Sequence, residues 1–171
     1  MNRTLKISFL LITLVVLPLS CKVNYSFSGA SIDYNKVKTF SVKYFQNYAP
    51  QANPTLSQTF TEALKDVFLS QTQLRIVPDE GDLQFEGSIT GFNLSPVAIT
   101  EGESAALTRL TITVNVKFVN TSDASQNFEN TFSRFADYNN SRNFADVEQE
   151  LIKDINNQLS QDIFNKSVSN W

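Results

Sequence analysis

The chain has 171 residues, 42% of them hydrophobic, which is enough to pack one domain core. Its 17 acidic and 14 basic residues give a net charge of −3, which argues against a nucleic-acid partner, though a local basic cluster could still meet an anionic lipid. With no histidine, a Ser-His-Asp triad, His-assisted cysteine chemistry and His-ligated zinc are excluded, and neither cofactor nor metal is expected.

The first stretch, MNRTLKISFLLITLVVLPLSC, has the plan of a secretory signal peptide: cationic Arg3 and Lys6, an apolar run from Ile7 to Leu17, then Pro18-Leu19-Ser20 before Cys21. An 11-residue run is well short of the ~20 needed to span a bilayer. A small residue, Ser20, directly before the only cysteine resembles the lipobox of bacterial lipoproteins, with Pro18 standing where an aliphatic residue is usual. That resemblance implies cleavage between Ser20 and Cys21 and lipidation of Cys21, with a diacylglyceryl thioether and an acylated (palmitate-type) amino group. Several acyl chains on one residue would give a stable anchor. Loss of residues 1–20 takes the net charge from −3 to −5, and lipidation would use up the only thiol of an exported chain.

Residues 21–35 are expected to form a lipidated tether with some edge-strand character, followed by a single domain over 36–171. Val37 to Phe45 reads as a strand with Phe40, Val42 and Tyr44 on one face. Asn53-Pro54 is a helix start, followed by Leu56, Phe60, Ala63, Leu64, Val67 and Phe68 at helical spacing. Leu74 to Val77 is a short strand, and Asp79 to Asp82 a solvated acidic turn without the ligand run of a calcium loop. Residues 83–90 alternate as a strand, and the swapped parity of Phe92 and Leu94 predicts a bulge at Gly91 or Gly87. Ser95 to Glu103 is expected to connect this strand to the clearest one, where Leu110, Ile112, Val114, Val116 and Phe118 alternate with Thr111, Thr113, Asn115 and Lys117.

A turn at Thr121 to Ser125 leads to a further strand ending near Tyr138, in which Phe135 breaks the pattern. Asn143 opens a long helix carrying Phe144, Val147, Leu151, Ile155, Leu159 and Ile163, with a tail expected to fray. The order predicts an α+β two-layer sandwich: a mostly antiparallel four- to five-stranded sheet with two helices packed on one face. The opposite face would be polar. Its basic residues Arg109 and Lys117 are expected to stand free there, beside Thr111 and Thr113.

The lipobox, NYSFSGASI, VKTFSVKYFQN, NPTLSQTFTEALKDVFLSQTQLRIV and GDLQFEGSITGF together resemble the LPS-assembly lipoprotein (LptE) family over nearly the whole mature chain. That resemblance implies a non-enzymatic outer-membrane lipoprotein, facing the periplasm, that plugs and helps assemble the β-barrel lipopolysaccharide translocon LptD and contacts lipopolysaccharide. No basic motif transfers position by position. The candidate contact residues are therefore Arg109, Thr111, Thr113 and Lys117, taken from the exposed sheet face. A lipoprotein acting alone, with an apolar ligand site between sheet and helices, is the alternative. A hydrolase would have to use Asp79 and Asp82 or Glu101 and Glu103, pairs in expected turns, where near neighbours rarely hold the fixed separation acid/base work needs.

Overall fold

The computed structural model describes residues 32–97 and 106–168. The leader, Ser20, Cys21 and most of the tether lie outside them, as do Glu101 and Glu103. The elements run β1 (Thr39–Val42), β2 (Gln46–Asn47), α1 (Leu56–Gln71), β3 (Arg75–Ile76), β4 (Leu83–Val97), β5 (Leu107–Asn120), β6 (Phe128–Asn139) and α2 (Phe144–Val168). They build the expected α+β sandwich with six strands, one or two more than the periodicity indicated.

The sheet order is β3-β1-β4-β5-β6, with β2 also on β4. The last three strands form the antiparallel meander, β5 pairing with β4 on one side and β6 on the other. β1 pairs in parallel with both β3 and β4, which is possible because α1 supplies the long crossover a parallel pair requires. The register shifts between Ile89 and Gly91, so the bulge falls at the later of the two anticipated glycines and returns Phe92 to the core face.

Both helices cover one side of the sheet. Leu56, Phe60, Leu64 and Phe68 of α1 are fully buried, as the stripe requires. α1 begins two residues later than Asn53-Pro54 implied, because the Asn53 carboxamide oxygen accepts from Thr55 N–H and Thr55 Oγ1 instead of from the first turn. α2 buries Val147, Leu151, Ile155, Leu159 and Ile163, and additionally Ile152, Asn156 and Ser160. That second stripe meets α1: Asn156 Nδ2 donates to Thr59 Oγ1 at 3.2 Å, and Gln71 Nε2 donates to Gln161 Oε1 at 2.7 Å. Ser167 and Val168 are buried, so the helix is packed to Val168 and does not fray before it.

The core is aromatic. The Phe68 ring lies 5.3 Å from that of Phe40, 4.8 Å from Phe85 and 5.0 Å from Phe164, and Phe85 continues to Phe118 at 4.9 Å. These rings occupy the space between sheet and helices where an apolar ligand site was the alternative expectation. The first strand departs from its predicted parity: Tyr44 is 51% exposed while Phe45 is buried against Phe60. Strand structure lapses between β1 and β2, and that break turns Phe45 inward.

The acidic turn has a structural role. Asp82 Oδ2 accepts from the N–H groups of Lys38 and Thr39 at 2.8 and 2.9 Å and from Thr39 Oγ1, tying the start of β1 to the start of β4. The Lys38 N–H is the main reason its carboxyl sits below the usual range. No cluster able to hold a metal ion occurs among the described residues.

Candidate partner-binding face

Alternation along β5 and β6, and along β4 on either side of its bulge, sends one set of side chains into the core and the other to the open side of the sheet. Register then fixes cross-strand rows. Glu86, Lys117 and Glu129 form the row nearest the β5–β6 turn; Ser88, Asn115 and Thr131 come next. Gly91, Thr113 and Ser133 follow, then Asn93, Thr111 and Phe135, then Ser95, Arg109 and Asp137, and finally Val97, Leu107 and Asn139. The four candidates Arg109, Thr111, Thr113 and Lys117 thus lie on one strand and one face. Arg134 does not join them, since it points to the helix side and its Nη2 donates to Asp162 Oδ1 of α2 at 2.7 Å.

The middle of the face is uncharged, with short side chains. Thr113 Oγ1 and Ser133 Oγ are 3.1 Å apart, so one hydroxyl donates to the other. Charged rows flank it on either side, and both candidate cations are paired there, so the expectation that Arg109 and Lys117 stand free is corrected. Arg109 forms a two-pronged pair with Asp137, Nε to Oδ1 at 2.7 Å and Nη2 to Oδ2 at 2.8 Å. Its guanidinium carbon lies 3.6 Å from the centre of the Phe135 ring, a cation–π arrangement. This explains the Phe that broke the β6 pattern: 46% exposed on the polar face, it carries the arginine. The Arg109 hydrogen bonds hold the Asp137 carboxyl below its ordinary value.

At the other end Glu86 bridges two lysines, accepting from Lys117 Nζ at 2.7 Å and from Lys43 Nζ at 2.9 Å. The Lys117 hydrogen bond, followed by that of Lys43, lowers the Glu86 carboxyl to about 2. Because the folded-state value is depressed, the stabilisation is complete above the ordinary carboxylate range and disappears as pH falls through about 2. Solvent screening on a side chain 37% exposed limits it to roughly 1 kcal/mol or less. Glu86→Gln should therefore lower stability slightly at pH 7, with the difference from wild type closing between about pH 4.5 and 2. Chemical denaturation at several pH values checks this; a gap that widens on acidification would contradict it.

A cleft of about 560 Å³ lies between the helices and is lined by Thr59, Glu62, Asp66, Lys153, Ser160 and Gln161 among others. Its walls combine both signs of charge and small polar groups with the apolar Ala63 and Val67.

Sequence reasoning found the face and missed its pairing. Arg109 and Asp137 are 28 positions apart. The available signal was the turn at Thr121 to Ser125: folding β5 back about its centre places Asp137 opposite Arg109 and Glu129 opposite Lys117.

Comparison with known proteins agrees with this architecture. A family model described as LptE, lipopolysaccharide-assembly, matches residues 37–167. Among solved structures, the hypothetical protein CT253 from Chlamydia trachomatis is similar at 8% identity and a TM-score of 0.52, covering 78% of this chain and 99% of that one. A minor lipoprotein from Acinetobacter baumannii is similar at 16% identity and a TM-score of 0.46, covering 76% and 91% respectively. The rare lipoprotein B from Shewanella oneidensis is similar at 15% identity and a TM-score of 0.42, over 75% and 92%. A search of curated protein sequences finds no match. The family match runs from Val37, two residues before β1, to Ser167 in the last turn of α2, and on that ground this chain belongs to the LptE lipopolysaccharide-assembly family.

Proposed function

We propose that this protein is a non-catalytic outer-membrane lipoprotein, anchored through Cys21 and facing the periplasm, that plugs and helps assemble the β-barrel translocon LptD during lipopolysaccharide delivery. The observation that carries this reading is the open sheet face, a polar surface on which Arg109 is paired with Asp137, and Lys117 and Lys43 with Glu86. With Glu129 on the outer strand left at the margin, the rest of that surface can be covered by a polar barrel lumen without burying an unpaired charge, the arrangement that costs most at an interface. Family membership supports the lipopolysaccharide-assembly context. Lipopolysaccharide would meet the same face or its rim, where Arg109 offers the remaining guanidinium edge.

The experiment is a mild-detergent pull-down from native membranes. A β-barrel recovered in stoichiometric amount supports the reading; an isolated monomer carrying a stoichiometric extracted lipid overturns it in favour of a stand-alone ligand-binding lipoprotein. The anchor is tested on the same material by mass spectrometry. The mature N-terminus should be Cys21 bearing acyl mass, and Cys21→Ala should leave the membrane fraction or remain as the uncleaved form. An unacylated N-terminus at another residue would remove the anchor from the account.

A further inference from the structure

The cleft between α1 and α2 opens away from the sheet: α1 lines it with Thr59, Glu62 and Asp66, whereas Leu56, Phe60, Leu64 and Phe68 of the same helix are buried beneath. Several hydroxyls of the two helices are already used. Those of Thr61, Ser70 and Ser167 donate to the carbonyl three or four residues back, the usual outlet for a hydroxyl inside a helix. Ser160 lines the cleft and is 1% exposed, and its Oγ has no partner among the described residues. One turn back, Asn156 Nδ2 reaches across to Thr59 in the opposite wall, and its buried Oδ1 is also left without a partner among them. Buried polar atoms are hydrogen-bonded in the great majority of cases, so two of them one turn apart point to a molecule that fills the cleft. The charges divide in the same way. Glu62 is taken up by Lys65, whose Nζ donates to its Oε1 at 2.8 Å. Asp66 on α1 and Lys153 on α2 have no ion pair or hydrogen bond among the described residues, and neither has the side chain of Asn157.

We propose that this cleft binds a short peptide with free termini and small side chains. The two unpartnered charges are of opposite sign and stand on opposite walls, so a ligand that satisfies both is a zwitterion, its ammonium at Asp66 and its carboxylate at Lys153. Asn157 and Ser160, one and two turns beyond Lys153, each offer a donor and an acceptor, as a peptide unit does. Ala63 and Val67 add apolar contact for methyl-sized side chains. At about 560 Å³ the cleft lies in the range of small-ligand sites, roughly 300–1,000 Å³, and has room for a tripeptide. An uncharged sugar would leave Asp66 and Lys153 as they are. The site belongs to the helix layer, away from the sheet face assigned to the barrel, so the two readings stand or fall separately.

Isothermal titration of the purified full chain with trialanine tests this. Saturable binding is expected, weakened roughly tenfold by Asp66→Asn and by Lys153→Gln, each the loss of one hydrogen-bonded charge, and absent for the capped peptide N-acetyl-trialanine amide. Both substitutions fall at exposed positions, so melting temperatures should stay at the wild-type value. Ser160→Ala should weaken binding severalfold without lowering the melting temperature, because the hydroxyl it removes gives up no partner in the fold. Glycerophosphoethanolamine, which carries the same two charges in a lipid headgroup, is titrated alongside. Binding of that headgroup as tight as that of trialanine or tighter, binding of the capped peptide as tight as that of the free one, indifference to Asp66→Asn and Lys153→Gln, or no saturable binding of trialanine overturns the proposal.

Discussion

Phe68→Ala should lower folding stability by about 3–5 kcal/mol, among the largest losses a single side chain of this protein can cause. Phe68 is fully buried at the end of α1, and its ring meets three others, from β1, β4 and α2. Its ring thus joins sheet, first helix and last helix. The rings around it are themselves fixed by further contacts, Phe85 by Phe118 and Phe118 by Phe128, so they cannot easily close over the void. Denaturant titration should show a lower midpoint with an unchanged slope. A loss below about 1 kcal/mol would mean that the helices slide inward to fill the space, and that this column does not set the spacing of the two layers.

Gly87→Ala is expected to be costly for a different reason. A Cβ at Gly87 would lie 2.1 Å from the Asn115 carbonyl oxygen and 2.7 Å from Cε1 of Phe45. The first of these is backbone of β5 in the middle of the longest ladder in the sheet, so relief requires β4 and β5 to part. The expected loss is about 1–3 kcal/mol. Gly91→Ala provides the comparison, because the nearest atoms to its Cβ would all be side-chain atoms, of Thr113 at 3.1 and 3.2 Å and of Asn93 at 3.5 Å, beside the bulge where the ladder already yields. Melting temperatures should therefore fall further for Gly87→Ala than for Gly91→Ala. The reverse order would contradict the view that Phe45 and β5 close on a position where no side chain fits.

How these features could be read from sequence divides along one physical line. Patterns carried by a single element were legible: the α1 stripe from Leu56 to Phe68, the alternation of β5, and the parity swap that revealed the bulge near Gly91. Features that depend on which elements meet were not. Nothing local to Val37–Phe45 announces that β1 pairs in parallel with β3 and β4, or that the chain breaks after Val42 so that Phe45 can enter the core. Asp82 resembled any carboxylate in a turn until its partners at Lys38 and Thr39 came into view. For the candidate face, the position of Arg109, Thr111, Thr113 and Lys117 on one surface followed from alternation alone. Their electrostatic state did not, because it is set by Asp137 and Phe135 from β6 and by Glu86 from β4.

That pairing also decides which residue best tests the face. Reversing Arg109 or Lys117 would place a new carboxylate beside Asp137 or Glu86, mixing damage to the fold with damage to binding. Thr113 lies at the centre of the face with only Ser133 as its side-chain hydrogen-bond partner, so Thr113→Glu should alter stability by no more than about 0.5 kcal/mol. Once covered by a barrel wall, the same carboxylate would be buried unpaired, a cost of roughly 2–5 kcal/mol. The decisive measurement is capture of the β-barrel from native membranes by wild type, Thr113→Ser and Thr113→Glu, each first shown to melt normally. The account predicts wild-type capture for Thr113→Ser and at least a roughly thirtyfold loss for Thr113→Glu; capture of the barrel by Thr113→Glu at the wild-type level would contradict it.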